Sequence, residues 1–403
     1  MNRASLLHII ERLEGFLGKL PATIQKPVLH ELTPLKELFL QQRPPRFVLT
    51  GSNKLSIQEV VATLFSWAPL AESRGVLMEL FRWQTIDLGG HGTIVLLDAR
   101  GADATKIPDV EGELKRQPTD VFLHLGDDGG AASLPARELE NLATFHASNT
   151  AARVAAKIIG IVLHDTGRVA RTTHNGNHTP HPQATARARL QSALEEKQAV
   201  REHLLQIFEL AFTPASASGS ETKADAQSFM SLLARQLPNE ARVEMVRIAR
   251  DRTAQIEIAQ SLVKSTTAIC AAIGAQPIPL ADLPILTALQ LVMVSGIMYI
   301  GGRERSLRAA TEFIAALGVN VGAGMILREG TRALLKFFPG WGNVVCGMVA
   351  GAGTYAIGRA AIVYFLEGVS LKDARRTYLA SRKKRAQRKP TRLREVKAAS
   401  VTT

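Results

Sequence analysis

An α/β sandwich built on a mostly parallel sheet, followed by an apolar, glycine-rich helical region, is the fold class this sequence predicts. Three observations predict it. Short apolar runs of strand character alternate with helical stretches from residue 46 to 164. Three runs without charges follow at 284–302, 313–327 and 337–358. The chain has 403 residues and is 46% hydrophobic, enough for two or three domains with real cores.

The elements read in order as follows. Leu6, Ile9, Ile10, Leu13 and Leu17 fall at helical spacing, and Leu32, Leu35, Leu38 and Phe39 repeat it, so 1–45 is a pair of amphipathic helices. Arg43-Pro44-Pro45-Arg46 ends the second, because proline disfavours the helical conformation of the preceding residue. The α/β domain, 46–170, opens with the strand Phe47-Val48-Leu49, then Gly51 and a helix carrying Ile57, Val60, Val61 and Leu64. Arg82 to Leu88 and Thr93 to Leu97 meet at a glycine turn, and further strands lie at Val121-Phe122-Leu123 and Ile158 to Leu163. A polar loop is expected at 171–187 and a helical connector at 188–265. The connector comprises a charged helix at 188–212, a flexible Ala/Ser/Gly linker at 214–226 and a further helix. An apolar helical domain spans 266–380, and a basic tail spans 381–403.

Charge and cysteine content exclude several functions. The net charge is +13, but Lys372 to Lys397 alone holds twelve Lys or Arg against two acids, leaving the folded body near +3. Nucleic acid is therefore not the expected partner of the body. Cys270 and Cys346 are too few for a disulfide framework or a metal cluster and fit a reducing cytosol. Glu11, Arg12 and Glu14 interrupt the apolar N-terminus, so no cleaved signal peptide is expected. His174, His178 and His181 read as a solvated loop, Asp127-Asp128 as a turn, and Ser133 and His146 form no nucleophile motif. No catalytic residue and no metal ligand is assigned.

The turn after the first strand carries the main chemical argument. A phosphate loop needs Gly-x4-Gly-Lys-[Ser/Thr]: glycines turn backbone N–H groups inward, lysine neutralises phosphate charge and the hydroxyl ligates Mg²⁺. Here Gly51 is followed, four residues on, by Ser56-Ile57-Gln58, with Lys54 inside the loop. Losing these charge-assisted bonds removes about 4–6 kcal/mol, roughly a thousandfold or more in affinity.

Leu32 to Gln58, with its Arg-Pro-Pro-Arg turn, resembles the start of the GTPase domain in bacterial Era-like (TRAFAC-class) GTPases, and Pro118 to Leu123 resembles one of their strands. Asp98-Ala99-Arg100-Gly101 matches their Asp-x-x-Gly switch element, in which the aspartate holds Mg²⁺ through water and the glycine N–H meets the γ-phosphate. The guanine-specifying Asn-Lys-x-Asp is reduced to Asp165 in Val162-Leu163-His164-Asp165, and 67–84 offers no switch threonine. Ala272 to Asp282, Leu289 to Met293, Phe338 to Gly342 and Gly353 to Ala360 resemble domain of unknown function 697, found after such GTPases and in YcjF-like inner-membrane proteins.

The resemblance implies a Ras-like P-loop GTPase sandwich that has degenerated into a pseudo-GTPase, joined to the helical domain. Residual nucleotide binding would fall to Gly51, Lys54, Asp98, Gly101 and Asp165. No cofactor is expected, the alternative being GTP or GDP with Mg²⁺ in a GTPase of low affinity. The implied location is the cytoplasmic face of the inner membrane, and a GTPase paralogue or a second copy are the protein partners it brings to mind.

The runs 284–302 and 337–358 are long enough to cross a bilayer, which needs about 20 apolar residues, while their glycines equally suit a tight soluble bundle. Arg382, Lys383, Lys384, Arg385, Arg388 and Lys389 are the expected contacts to anionic lipid, each worth about 1 kcal/mol near the surface.

Overall fold

The computed structural model describes residues 41–65, 79–89, 92–127, 136–149, 155–165, 186–212, 220–275, 282–318 and 342–387. The paired helices expected before residue 41, and His174, His178 and His181, lie outside these residues. The chain divides into two compact units, one containing Gln42–Asp251 and the other Arg252–Thr403 together with the N-terminal 41 residues.

The first unit is a six-stranded sheet in the order β2-β3-β1-β4-β5-β6. Its strands are β1 (Arg46–Gly51), β2 (Trp83–Asp87), β3 (Thr93–Asp98), β4 (Val121–Asp127), β5 (Lys157–Asp165) and β6 (Leu204–Phe212). All neighbours pair in parallel except β2 and β3, an antiparallel hairpin closed by Leu88 N–H donating to Gly92 O at 2.8 Å. Alternation along the buried strands sends successive residues to opposite faces. Val48, Leu97, Phe122, Ile158 and Ile207 belong to a core under α2 (Ile107–Arg116), α3 (Ala136–Ser148), α4 (Ala186–Glu196) and the short α5 (Gln198–Arg201). On the other face, Phe47 meets Phe65 of α1 (Ile57–Phe65), and Phe208 meets Phe229 of α6 (Ser220–Gln236). Helix α7 (Asn239–Ala249) packs on α6.

Glycine admits α4 to the sheet. A Cβ at Gly126 would stand 2.9 Å from Leu190 Cδ2 of α4, and one at Gly160 would stand 3.1 Å from Leu194 Cδ1 of α4 and 2.9 Å from Ile207 Cγ1 of β6, so a side chain at either position would push these neighbours aside. The Arg43-Pro44-Pro45-Arg46 turn also has a structural task. Arg43 grips Asp120 with two hydrogen bonds of 2.7 and 2.6 Å, and Arg46 N–H donates to the same carboxylate at 2.9 Å, tying the start of β1 to the start of β4.

Three expectations change. The helix expected over 188–212 ends at α5, and 204–212 is a strand. Its adjacent apolar pairs, Leu204-Leu205 and Ile207-Phe208, fit a helical face locally, but pairing with β5 lets Ile207 and Phe208 fill opposite layers of the sandwich. The linker expected at 214–226 gives way to helix from Ser220, since Ser220-Glu221-Thr222-Lys223-Ala224 leads into the buried Phe229 and Leu233. The basic tail is helical through Gln387, so it continues the preceding helix.

The second unit is helical: α8 (Arg252–Gly274), α9 (Asp282–Ile300), α10 (Leu307–Ala316), α11 (Gly342–Phe365) and α12 (Leu371–Gln387). Helices α8 and α11 run antiparallel at close range. A Cβ at Gly347 would lie 2.6 Å from Ala271 O, one at Gly351 3.0 Å from Ala271 Cβ, and one at Gly358 2.5 Å from Val263. Gln290 Nε2 of α9 donates to the buried Thr354 Oγ1 of α11 at 3.0 Å. Phe313 of α10 packs on Tyr364 and Phe365. The run 284–302 becomes α9, which stops at Ile300. The run 337–358 is shifted, because α11 begins at Gly342 and continues through Arg359. Helices Arg252–Gly274 and Gly347–Phe365 are long and apolar enough to cross a membrane by length and composition alone.

Candidate functional site

Strand order reverses around β1: one connection leads from it toward β3, and the next crosses to β4 on its other side. In open α/β sheets, ligands bind at such a switch point, beyond the carboxyl ends of the strands. The turn Gly51–Ser56 and the segment Asp98–Gly101 lie there together.

Gly51 closes β1 with φ +85°, and a Cβ there would strike Leu125 O. Ser52 N–H donates to that same carbonyl at 2.9 Å, so the first amide of the loop faces β4. Below it, Thr50 Oγ1 and His124 Nδ1 are 3.0 Å apart in the β1–β4 interface. Complete burial pushes the His124 imidazole down to about 4, and its Nε2 has no hydrogen-bond partner.

Asp98 and Arg100 are 3% and 4% exposed at the side chain and form a two-pronged pair. Arg100 Nε donates to Asp98 Oδ1 at 2.8 Å, and Nη2 donates to Oδ2 at 2.8 Å. Arg100 Nη1 reaches across to the loop, donating to Leu55 O at 2.8 Å and Ser52 O at 3.5 Å. Gly101 follows with φ +69°, and the Asn53 amide lies over it, 3.0 Å from where a Cβ would stand. Sequence and fold cooperate here: Asp98 ends β3 and Gly101 turns the chain, so Arg100 folds back over its own strand end.

The start of α1 is closed in the same manner. Ser56 Oγ accepts from Glu59 N–H at 3.3 Å, while Glu59 Oε2 accepts from Ser56 N–H and Ser56 Oγ, each at 2.8 Å. This reciprocal cap places a carboxylate at the positive end of the helix. In a phosphate-binding turn that end faces the ligand's negative charge.

The groups that the resemblance would turn toward Mg²⁺ and a nucleoside triphosphate are engaged with one another. The aspartate that would face the metal is neutralised by an arginine of its own segment, the glycine that would meet phosphate is covered, and the helix start has its own anion. Lys54 is exposed, with its backbone N–H 3.5 Å from Ser52 Oγ. Asp165 ends β5, two strands from β1, and its side chain lies outside the described atoms. Among the five nucleotide-binding candidates, the fold brings Gly51, Lys54, Asp98 and Gly101 to one strand edge. Sequence reading missed Arg100, Glu59 and His124. Ser56-x-x-Glu59 has the spacing of a capping box and was legible as one. The pairing of Arg100 needed the turn at Gly101.

Of the lipid candidates, Arg382 is exposed on α12, Lys383, Lys384 and Arg385 continue that helix, and Arg388 and Lys389 lie outside the described residues. Among the described residues no group of three or more His, Cys, Asp or Glu could hold a metal ion. His146 on α3, whose Nε2 lies 3.0 Å from Ala156 O, meets the His203 ring in a tilted pair with centroids 4.5 Å apart, and burial lowers its pKa.

No family model matches the chain. It is 31% identical over 132 residues to magnetosome membrane protein 22 of Magnetospirillum gryphiswaldense, a match covering 30% of this chain and 66% of that protein. The chain thus spans a little under two thirds of that relative's length. Among solved structures, a chain of an oligomerised bacterial dynamin pair, described as a mechanism for long-range sensing and tethering of membranes, shares 11% identity at a TM-score of 0.27. That alignment covers 98% of this chain and 74% of the other. A likeness so distant carries no argument.

Proposed function

We propose that this protein is a pseudo-GTPase scaffold associated with a membrane: a Ras-like P-loop GTPase sandwich whose nucleotide site is filled by its own charged side chains. The observation that carries the reading is the buried Asp98–Arg100 pair with Arg100 bonded to Leu55 O. A guanidinium stands where Mg²⁺ would be held through water, and it also fastens the loop. Glu59 at the start of α1 adds an internal counterpart of the phosphate charge. The strand order, the Gly51 turn and the Asp98 strand end at the switch point support the GTPase ancestry.

A scaffold of this kind needs no ligand to set its shape. The sheet unit presents a fixed surface to a partner, with an active paralogue or a second copy as the candidates. Membrane association is supported by the printed name of the relative and by the two helices long and apolar enough to cross a membrane. The cytoplasmic face of the inner membrane is the location this reading favours, its anionic lipids matching the basic residues in the sequence of α12. The competing reading is a GTPase of low affinity in which Lys54 replaces the missing lysine.

Titration of the full chain with fluorescent GTP and Mg²⁺, before and after Lys54→Ala, separates the two. The scaffold reading expects no saturable binding into the high micromolar range and no effect of the substitution. Micromolar binding abolished by Lys54→Ala would make the protein a GTPase instead.

A further inference from the structure

Positive charge in the helical unit is collected on its last helix. α12 holds seven Lys or Arg against one acid, whereas the described residues from 252 to 370 hold six against five. The one acid, Asp373, is used at the helix start: its N–H donates to Ser370 Oγ at 3.2 Å, and its carboxylate accepts from that hydroxyl at 2.7 Å. The chain turns back at Gly368 (φ +74°), with Val369 N–H donating to Val363 O at 3.3 Å. α12 then packs along α11 and buries Ala374 and Tyr378, one turn apart. These two fix which side of α12 faces outward. At 3.6 residues per turn, Lys372, Arg376 and Leu379 form the outer row, and all three are exposed, Leu379 by 46%. Leu371, Arg375 and Arg382 are exposed along its flank. Lys383, Lys384 and Arg385 continue the basic sequence of the same helix.

We infer, resting on the membrane reading above, that α12 is the membrane contact of this protein. It lies along the headgroup layer of an anionic leaflet with its outer row against the lipid, and neither α11 nor α8 crosses the bilayer. Packing decides against a span. If α11 crossed with Phe365 at one boundary, α12 would return beside it through the hydrocarbon. From Lys372 to Arg382 is ten residues, about 15 Å of helix, half of a hydrocarbon core about 30 Å thick. Lys372, Arg376 and Arg382 would then face acyl chains, with Arg382 near the midplane, where a charged side chain needs a partner inside the bundle or water. Helix α8 is held to α11 at Gly351 and Gly358, so the same limit applies to it. Laid flat, α12 has a use for each outward residue: the cations meet lipid phosphates, while Leu379 and Leu371 reach the acyl boundary. Lipid fits this face better than nucleic acid does. The leucines would be idle against a phosphate backbone, and the one aromatic residue of α12, Tyr378, is buried and cannot stack on bases.

The test uses full-length protein sedimented with vesicles of phosphatidylcholine, with and without phosphatidylglycerol. Wild type should prefer the anionic vesicles and be released by 1 M salt, which screens charge within about 3 Å. The triple variant Lys372→Gln/Arg376→Gln/Arg382→Gln should lower the partition coefficient on anionic vesicles about 100-fold. Leu379→Trp should add fluorescence that is quenched more by bromines high on the acyl chains than by bromines near the bilayer centre. Unchanged partition of the triple variant, with intact helical circular dichroism, overturns the inference. So does stronger quenching from the bilayer centre, and so does wild type retained through 1 M salt and an alkaline wash, which means a span. Tighter binding of wild type to a short DNA duplex than to anionic vesicles at equal salt, lost in the triple variant, assigns the face to nucleic acid instead. Wild type that ignores both vesicle types sinks the membrane reading as well, whereas wild type that binds no better than the triple variant sinks only the role of α12.

Discussion

In the sheet unit the charges near the ligand edge are consumed in pairs: Arg100 on Asp98, and Glu59 on the start of its own helix. In the helical unit they are segregated, with seven Lys or Arg against one acid along α12. Both units use glycine for close approach, on strands in the first (Gly126, Gly160) and on a helix in the second (Gly347, Gly351, Gly358). The difference teaches where a partner is needed. Paired charges leave a site satisfied without ligand. Segregated charge around the exposed Leu379 leaves a surface whose field only a partner or salt neutralises.

The strongest way to break this contrast is to unpair the sheet unit. Arg100→Ala strands a buried carboxylate and should cost about 3–5 kcal/mol, while Asp98→Asn together with Arg100→Met should recover most of it. Hydrogen exchange of β1 and β3 amides in the full chain reads both, and unchanged protection in Arg100→Ala would contradict the pairing.

The next effect is a pH dependence from His124. Its folded pKa, about 4, lies below the ordinary 6.5 because burial disfavours the charged ring. The unfolded chain therefore binds the proton first. The stability this residue contributes is full above about pH 6.5 and is lost toward pH 4, at about 1.4 kcal/mol per pH unit and about 3 kcal/mol in total. Denaturation of wild type and His124→Leu across that window should show a steeper acid loss in wild type. Parallel profiles would count against a neutral buried ring.

In the helical unit, Gly358→Val would press a branched side chain into Val263, already 2.5 Å from where a Cβ would stand. Overpacking of this kind costs about 1–3 kcal/mol. Thermal melting followed by helical circular dichroism checks it, and an unchanged melt would place α8 and α11 farther apart. The smallest effect is Glu59→Ala, which removes half of a capping box on an exposed helix start, about 1 kcal/mol. The amides of Ser56 and Gln58 should then exchange faster, with the rest of the sheet unit unaffected.

Much of this architecture could be read from the chain. The hairpin around Gly89-Gly92, the strands at 47–49, 121–123 and 158–163, and the apolar helices have periodicities that tertiary packing leaves intact. β6 could not be read, because Leu204 to Phe212 meets helical spacing and becomes a strand only against β5. The candidate site was half legible. Gly51 and Asp98 were visible as residues of a turn and a strand end, and the missing lysine was visible at Ile57. What replaces them was hidden, since Arg100 lies two residues from Asp98 and their pairing depends on a left-handed turn at Gly101.

The central claim is that the switch-point site is complete without nucleotide. Melting of the full chain with and without millimolar GTP and Mg²⁺ tests it most directly. A ligand at about a hundred times its dissociation constant adds about 2.7 kcal/mol, or roughly 5–10 °C for a unit of this size. The account predicts no shift in Tm. A rise of that magnitude, abolished by omitting Mg²⁺, would contradict it.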